Sequence, residues 1–118
     1  MAGQAQDGVC VVNVGNMHTV AFLVRAGRAL GIYEHHTGCL DAFSLSDQVG
    51  RFIRGGLSDA EVFNSQGHGC ARLETAPRGQ DWPVVITGPR RRLAHGLGWT
   101  LAVPHGDVGS HGKPPSVF

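Results

Sequence analysis

The sequence predicts a single α/β domain in which helices pack on a mixed β-sheet. The length of 118 residues fits one domain. Residues 9–37 hold three apolar runs separated by short turns, which is the pattern of an antiparallel meander. Residues 41–63 change to the three- and four-residue spacing of helices, and two short apolar runs follow at 83–87 and 99–103. Three strands followed by helix, strand, helix and strand indicate an α/β sandwich.

The meander is expected to contain three strands, at 9–14, 19–24 and 29–34. The first is a β-branched apolar run without helical period, so we predict that both of its faces are covered. Four residues separate it from the second strand, which suits a hairpin. The stretch after the third strand, 35–38, is predicted to leave the sheet.

Two helices are expected in the middle of the chain. The first lies within 41–55, with Ser46 as a possible N-cap, and two glycines end it. The second covers 58–63, with Ser58 or Asp59 as its cap.

The remaining elements are shorter. Residues 66–70 read as a flexible loop and 71–81 as a surface connection. The run 83–87 is a buried strand, a helix is expected at 90–96 with a proline near its first position, and 99–103 is a last strand.

The chain is therefore divided into a disordered start at 1–8, one domain at 9–104 and a loop and tail at 105–118. A net charge of +1 without a basic face disfavours a nucleic-acid partner, and no apolar run is long enough for a membrane span. Three widely spaced cysteines indicate reduced thiols and a cytoplasmic protein. Only 16% of residues are charged, so we expect a partner domain or a second copy to cover part of the surface.

The first hairpin is a candidate phosphate site. Gly15 and Asn16 can adopt positive φ and turn backbone N–H groups toward an anion. Thr19 offers a hydroxyl, His18 lies on the same tip, and Asn13 can orient a water, including a metal-bound one. The alternative is an ordinary hairpin that needs Asn and Gly for its turn.

The strand-to-helix turn at 87–90 is a second candidate ligand site. Ligands of α/β proteins bind beyond the carboxyl ends of strands, near helix N-termini. Thr87 ends the strand, Gly88 lets a flat base approach the backbone, and Arg90 offers a charge to an anion. The alternative is a tight turn with a solvated basic face.

Histidines are the third set of candidates, because imidazole is a common transition-metal ligand. The HxH, HxxxH and HExxH spacings are absent, so a metal set is not assigned from spacing, and polar loop residues are the alternative. A metal-binding enzyme domain that uses Glu34, His36 and His68 stays open, as does a non-catalytic dimeric scaffold. No catalytic residue is assigned, and the candidates are Asn13, Glu34, His36 and His68. Glu34 and Asp107 are the carboxylates expected to act as a base or as a metal partner, because both adjoin histidine-containing motifs. The histidines considered are His18, His35, His36, His68, His105 and His111.

The hairpin at 13–19 is followed about 70 residues later by a strand that ends in a glycine. This arrangement resembles the second half of the actin-like ATPase superfamily, whose half-domain has a ribonuclease H-like fold. Asn13-Val14-Gly15 matches the opening of its phosphate motif, and Thr87-Gly88 matches its adenosine motif. The resemblance implies ATP with Mg²⁺ as ligand, phosphate near 13–19 and adenosine near 87–90. It also implies a cleft completed by an N-terminal lobe or by a second copy of the chain. Asn13 stands where that superfamily has the aspartate that holds Mg²⁺ through water.

A closer resemblance is to an uncharacterised prokaryotic family with this expected fold. It rests on the phrases NVGNMHTVAFLV, GIYEHHTG, QGHG, VVITGPRR and AVPHGD, which lie within residues 11–107. Some members carry the label pyruvate formate-lyase activating enzyme-like. Such a radical S-adenosylmethionine enzyme needs three thiolates close together on one loop, and the three cysteines here are 29 and 31 residues apart.

Overall fold

A computed structural model describes residues 8–102 of the chain. Three strands come first, then two helices and three short strands, with 3₁₀ turns at Thr37–Cys39 and Arg91–Ala94. The elements are β1 (Gly8–Val14), β2 (His18–Arg25), β3 (Arg28–His36), α1 (Ala42–Arg54), α2 (Asp59–Asn64), β4 (Gly69–Arg72), β5 (Val84–Thr87) and β6 (Thr100–Leu101).

The six strands form one mixed sheet in the order β4-β3-β2-β1-β5-β6. The strands from β4 to β1 pair antiparallel, whereas β5 pairs parallel with both β1 and β6. The predicted α/β class, with an antiparallel meander at the start of the chain, is therefore confirmed.

The core lies between α1 and one face of the sheet. In β1 every second side chain is fully buried, namely Cys10, Val12 and Val14. Across from them, α1 places Leu45, Val49, Phe52 and Ile53 inward, at the three- and four-residue spacing of an amphipathic helix. The ring centroid of Tyr33 on β3 lies 5.8 Å from that of Phe52, and the Tyr33 hydroxyl donates a hydrogen bond to Oε1 of Gln48, so Tyr33 joins the helix to the sheet.

The other face of the sheet is more open than the sequence suggests. Phe22 and Ile32 are cross-strand neighbours there, and they are 38% and 42% exposed. Asn13 on β1 is exposed on the same strand whose alternate residues are buried. The prediction that β1 is covered on both faces is therefore wrong for the described residues, because the described helices cover one face only.

Helix α1 begins earlier than predicted. Its N-cap is Asp41, not Ser46, because the Asp41 carboxylate accepts a hydrogen bond from the Ser44 backbone N–H. The Ser44 hydroxyl accepts one in return from the Asp41 N–H, which completes a capping box. The second helix is confirmed, with Ser58 as its cap.

Strand β3 is longer than predicted, because His35 and His36 stay in the sheet opposite Thr19 and His18 of β2. The sequence predicts a loop at 66–70 and a surface connection at 71–81, but residues Gly69–Arg72 form strand β4. It is a short edge strand that begins with glycine and pairs with β3, so its local sequence gives little strand signal.

Near the end of the described chain, the helix expected at 90–96 is a 3₁₀ turn, Arg91–Ala94. The last strand is only Thr100–Leu101. Gly8 belongs to β1, although it was predicted to lie in a disordered start. The predictions for residues 1–7 and 105–118, which include His105, Asp107 and His111, fall outside the described residues. None of the helices described in residues 8–102 has the length and apolar character needed to cross a membrane.

The contrast between two phenylalanines of α1 tests the core. Phe52→Ala is expected to lower the free energy of unfolding by about 3–5 kcal/mol, because Phe52 is fully buried. Phe43→Ala, in the same helix but 79% exposed, is the matched control and should change it by roughly 0.5 kcal/mol or less. Both values come from urea unfolding followed by circular dichroism, and equal losses would contradict the assigned core.

Candidate functional site

The two predicted ligand motifs meet at one edge of the sheet, the one at which the carboxyl ends of β1 and β5 lie. Strands β1 and β5 run parallel, and Thr87 at the end of β5 lies opposite Asn13 near the end of β1. The Arg90 backbone N–H donates a 2.9 Å hydrogen bond to the Val14 carbonyl. The hairpin 13–19 and the turn 87–90 are thus neighbours, although about 70 residues separate them in the sequence.

The hairpin differs in conformation from the prediction. Neither Gly15 nor Asn16 has positive φ. The Gly15 N–H donates a 2.9 Å hydrogen bond to the His18 carbonyl, and a Cβ on Gly15 would lie 2.8 Å from that oxygen. Glycine is therefore needed for this close approach and not for its conformational freedom. Within residues 8–102, the backbone N–H groups of Asn16 and Met17 have no hydrogen-bond partner, and both residues are exposed.

The Thr19 hydroxyl faces the interior. The residue is fully buried, and its Oγ1 lies 2.8 Å from Oγ1 of Thr37. The Thr37 N–H also donates to the Met17 carbonyl at 2.8 Å. These contacts fix the hairpin against the end of β3. The Thr19 hydroxyl therefore stabilises the hairpin from the protein interior and does not lie at its exposed tip, where the sequence predicts it.

Gly88 brings the second motif close to β1. Its φ is +106°, and a Cβ there would lie 2.5 Å from the Val14 carbonyl oxygen and also against Oδ1 of Asn13. The space that glycine leaves at this position is therefore filled by β1. The Arg91 guanidinium donates a hydrogen bond to the Gly88 carbonyl, whereas the exposed Arg90 side chain has no ion-pair partner among the described residues.

Three histidines lie close together at the same edge. His18 begins β2, His36 ends β3 opposite to it, and His68 precedes β4. One ring nitrogen from each lies within 4.8 Å of the other two, and the ring centroids are 4.6–5.1 Å apart. The sequence predicts that His36 and His68 join a site, but it does not add His18 to them. Side-chain alternation along β2 gives only the exposed face of His18, because its neighbour Thr19 is buried, and the pairing with β3 brings it to His36.

His35 supports this cluster from the interior. It is 1% exposed, and its Nδ1 accepts a 2.9 Å hydrogen bond from the His36 backbone N–H. A neutral ring that accepts at Nδ1 carries its proton on Nε2, which lies 3.0 Å from the Ser65 hydroxyl. Burial lowers the pKa of His35 below its usual value, and the nearby His36 and His68 lower it further.

The loop that carries His68 packs on the His35 ring. A Cβ on Gly67 would lie 2.5 Å from Cδ2 of His35, so only glycine fits between the loop and the ring. The His68 N–H donates a 3.0 Å hydrogen bond to the Glu34 carbonyl, which fixes the loop beside β3. Glu34 lies two residues before His36 on the same strand face, but its carboxylate is not part of the three-histidine group.

A separate groove of about 580 Å³ lies between α1 and the segments on either side of β5. It is lined in part by Phe43, Asp81, Trp82 and Trp99, and it contains none of the site residues predicted from the sequence. The Trp82 indole N–H is buried without a hydrogen-bond partner among the described residues.

Comparison with known protein families gives one match that covers most of the chain. Residues 1–93 match the family described as "Putative pyruvate format-lyase activating enzyme (DUF1786)". The chain belongs to the DUF1786 family. No match was found among the curated proteins or among the solved structures.

The cysteines of this DUF1786 protein do not fit the iron–sulfur cluster that the family description implies. Such a cluster needs several accessible thiolates close together. Cys10 is fully buried in β1, where burial raises its pKa to about 12. Cys39 is exposed in a 3₁₀ turn, and Cys70 lies half-buried in β4. Within residues 8–102 the three cysteines form no common ligand group.

A pair of glycines tests the contact between the two motifs. Gly88→Ala should lower the free energy of unfolding by about 2 kcal/mol more than Gly96→Ala, because the added methyl group meets β1. Gly96 is the matched control, since it also has positive φ (+90°) but no atom within 4 Å of its Cβ position. Urea unfolding gives both values, and an equal loss would show that φ alone accounts for the cost.

His35 predicts a pH dependence of stability. Because the fold holds the pKa of His35 below its usual value, the unfolded chain protonates this imidazole at a higher pH than the folded protein does. The free energy of unfolding should therefore decrease from about pH 7 to about pH 5. His35→Gln should flatten this slope whatever its effect on stability at pH 7. An unchanged slope in urea unfolding at several pH values would contradict the assignment.

Proposed function

We propose that the chain is the nucleotide-binding half-domain of an actin-like ATPase-type protein and that it binds ATP with Mg²⁺. The observation that supports this most is the convergence of the hairpin 13–19 and the turn 87–90 at the carboxyl ends of two parallel strands. Ligands of open α/β sheets bind in this position.

The order of the strands also supports the proposal. An antiparallel meander is followed by two parallel strands added on the β1 side, which is the arrangement expected of a ribonuclease H-like sheet. In this interpretation β4 is an additional edge strand next to β3.

The exposed groups at this edge suit a nucleotide. The N–H groups of Asn16 and Met17, which have no partner within residues 8–102, would donate to phosphate oxygens, and the Arg90 guanidinium would pair with a phosphate or stack on the adenine. The amide of Asn13 would hold Mg²⁺ through water more weakly than a carboxylate does. We therefore propose nucleotide binding and assign no catalytic residue.

A second lobe belongs to the proposal. Asn13, Asn16 and Arg90 are all exposed, so a nucleotide on this edge would be covered from one side only by the described residues. Ligand sites of this kind bury most of the ligand surface. We propose that a further lobe, or a second copy of the chain, closes the cleft.

The test is a titration of the ¹⁵N-labelled chain, freed of transition metals, with Mg·ATP. Shifts are expected at the backbone resonances of Gly15, Asn16, Thr19 and Gly88. Arg90→Ala should weaken binding about tenfold, the effect of losing about 1.4 kcal/mol from one charged contact. Arg28→Ala, which replaces an exposed arginine at the first position of β3, is the matched control and should not change the affinity.

Two further ligands separate nucleotide recognition from general anion binding. Mg·tripolyphosphate should shift the hairpin resonances but should reproduce only part of the shifts in the turn 87–90, because it has no adenosine. If it reproduces every ATP shift with equal affinity, the site is an anion site and not a nucleotide site. A chain with a well-dispersed spectrum that does not respond to Mg·ATP would contradict nucleotide binding by this chain on its own. It would leave a non-catalytic scaffold or a site that needs its second lobe.

A further inference from the structure

We propose that His18, His36 and His68 bind one divalent transition-metal ion of the zinc type, with a fourth coordination position open. This site goes beyond the proposed nucleotide function and does not depend on it. The metal site considered from the sequence used Glu34 with His36 and His68, whereas in the structure His18 and not Glu34 completes the group.

The separations are close to those of a metal site. Tetrahedral Zn²⁺ with imidazole nitrogens at about 2.0–2.1 Å needs those nitrogens about 3.3 Å apart. The three ring nitrogens already lie within 4.8 Å of one another. All three side chains are accessible to solvent, and rotation about their side-chain bonds would close the remaining distance when a metal ion binds.

The ring nitrogens are available as ligands. Within residues 8–102, none of the rings of His18, His36 and His68 makes a hydrogen bond to another group of the protein. None of them has a carboxylate partner in this part of the chain. A neutral imidazole binds a metal ion through the lone pair of one ring nitrogen, and each of the three residues offers one such nitrogen to the group.

The backbone holds the three histidines in place before any metal binds. His18 and His36 are a cross-strand pair in the β2–β3 ladder. The His68 N–H donates to Glu34, and Gly67 packs on the buried His35 ring. Ligands placed on a sheet and on a tightly packed loop lose little freedom when they bind, which favours affinity.

The composition of the site limits the metal and its chemistry. Three neutral imidazoles suit Zn²⁺, Co²⁺, Ni²⁺ or Cu²⁺ better than Mg²⁺ or Ca²⁺, which prefer oxygen ligands. No cysteine or carboxylate of the described residues joins the group, so the fourth position is open to a water molecule or to an oxygen of a substrate. Three-histidine sites with an open position are typical of catalytic zinc.

Metal titration of the untagged, chelator-treated chain tests the proposal. Isothermal titration with Zn²⁺ should give one ion per chain, and Co²⁺ should produce the visible absorption bands of a tetrahedral site. Zn²⁺ should also raise the melting temperature, because it binds the folded state preferentially. His18→Ala, His36→Ala and His68→Ala should each weaken Zn²⁺ binding at least tenfold and remove the tetrahedral Co²⁺ spectrum.

His95→Ala is the matched control. His95 is exposed and lies outside the group, so this variant should keep the affinity, the stoichiometry and the Co²⁺ spectrum. Circular dichroism without metal verifies that every variant folds, and the three cluster variants should fold because their side chains are accessible. If one of them does not fold, replacement of that histidine by glutamine serves instead.

Three results would overturn the proposal. They are the absence of Zn²⁺ binding by the folded chain, unchanged affinity in the cluster variants, and one ion bound per two chains with dimerisation on a sizing column. Failure of Mg·ATP to bind would leave these results unaffected, so the two proposals can fail separately.

Discussion

The register between β2 and β3 is the constraint on which the candidate site depends. It places His18 opposite His36 and Thr19 opposite His35. Because side chains alternate between the faces of a sheet, a slip of one residue in either strand would exchange its exposed and buried side chains. A slip of β2 would expose Thr19 and bury His18, and a slip of β3 would expose His35 and bury His36, in each case without a partner for the buried histidine. The cost of burying unpaired polar groups therefore fixes the histidine pair on the open side.

A layer of buried polar side chains lies directly beneath this edge. Thr19, His35 and Thr37 are the buried polar residues of the described chain, and all three are hydrogen-bonded. Thr19 pairs with Thr37, and His35 joins β3 to Ser65 after α2. Buried hydrogen-bonded groups have strict geometric requirements, so they specify one arrangement more sharply than apolar packing alone. The result is a rigid base under an accessible surface.

The nucleotide and metal proposals use the same hairpin through different chemical groups. The first depends on the backbone N–H groups of Asn16 and Met17 and on a charged side chain beyond β5. The second depends on imidazole nitrogens of β2, β3 and the loop before β4. Both follow from the way in which strand ends bring separate segments of a chain to one edge of a sheet. The iron–sulfur chemistry implied by the family description has no such support, because the cysteines lie on β1, a 3₁₀ turn and β4.

The sequence by itself determined the elements with strong local signals. Apolar β-branched runs predicted the meander and β5, and the choice of Ser58 or Asp59 as cap predicted the start of α2. The structure selects Ser58, which forms a capping box with Glu61. The tertiary structure alone decided the rest. His35 and His36 stay in β3 because β2 pairs with them, and β4 forms because β3 offers an edge. The meeting of His18, His36 and His68 depends on register and loop packing between distant segments, and local residue patterns contain no information about such contacts.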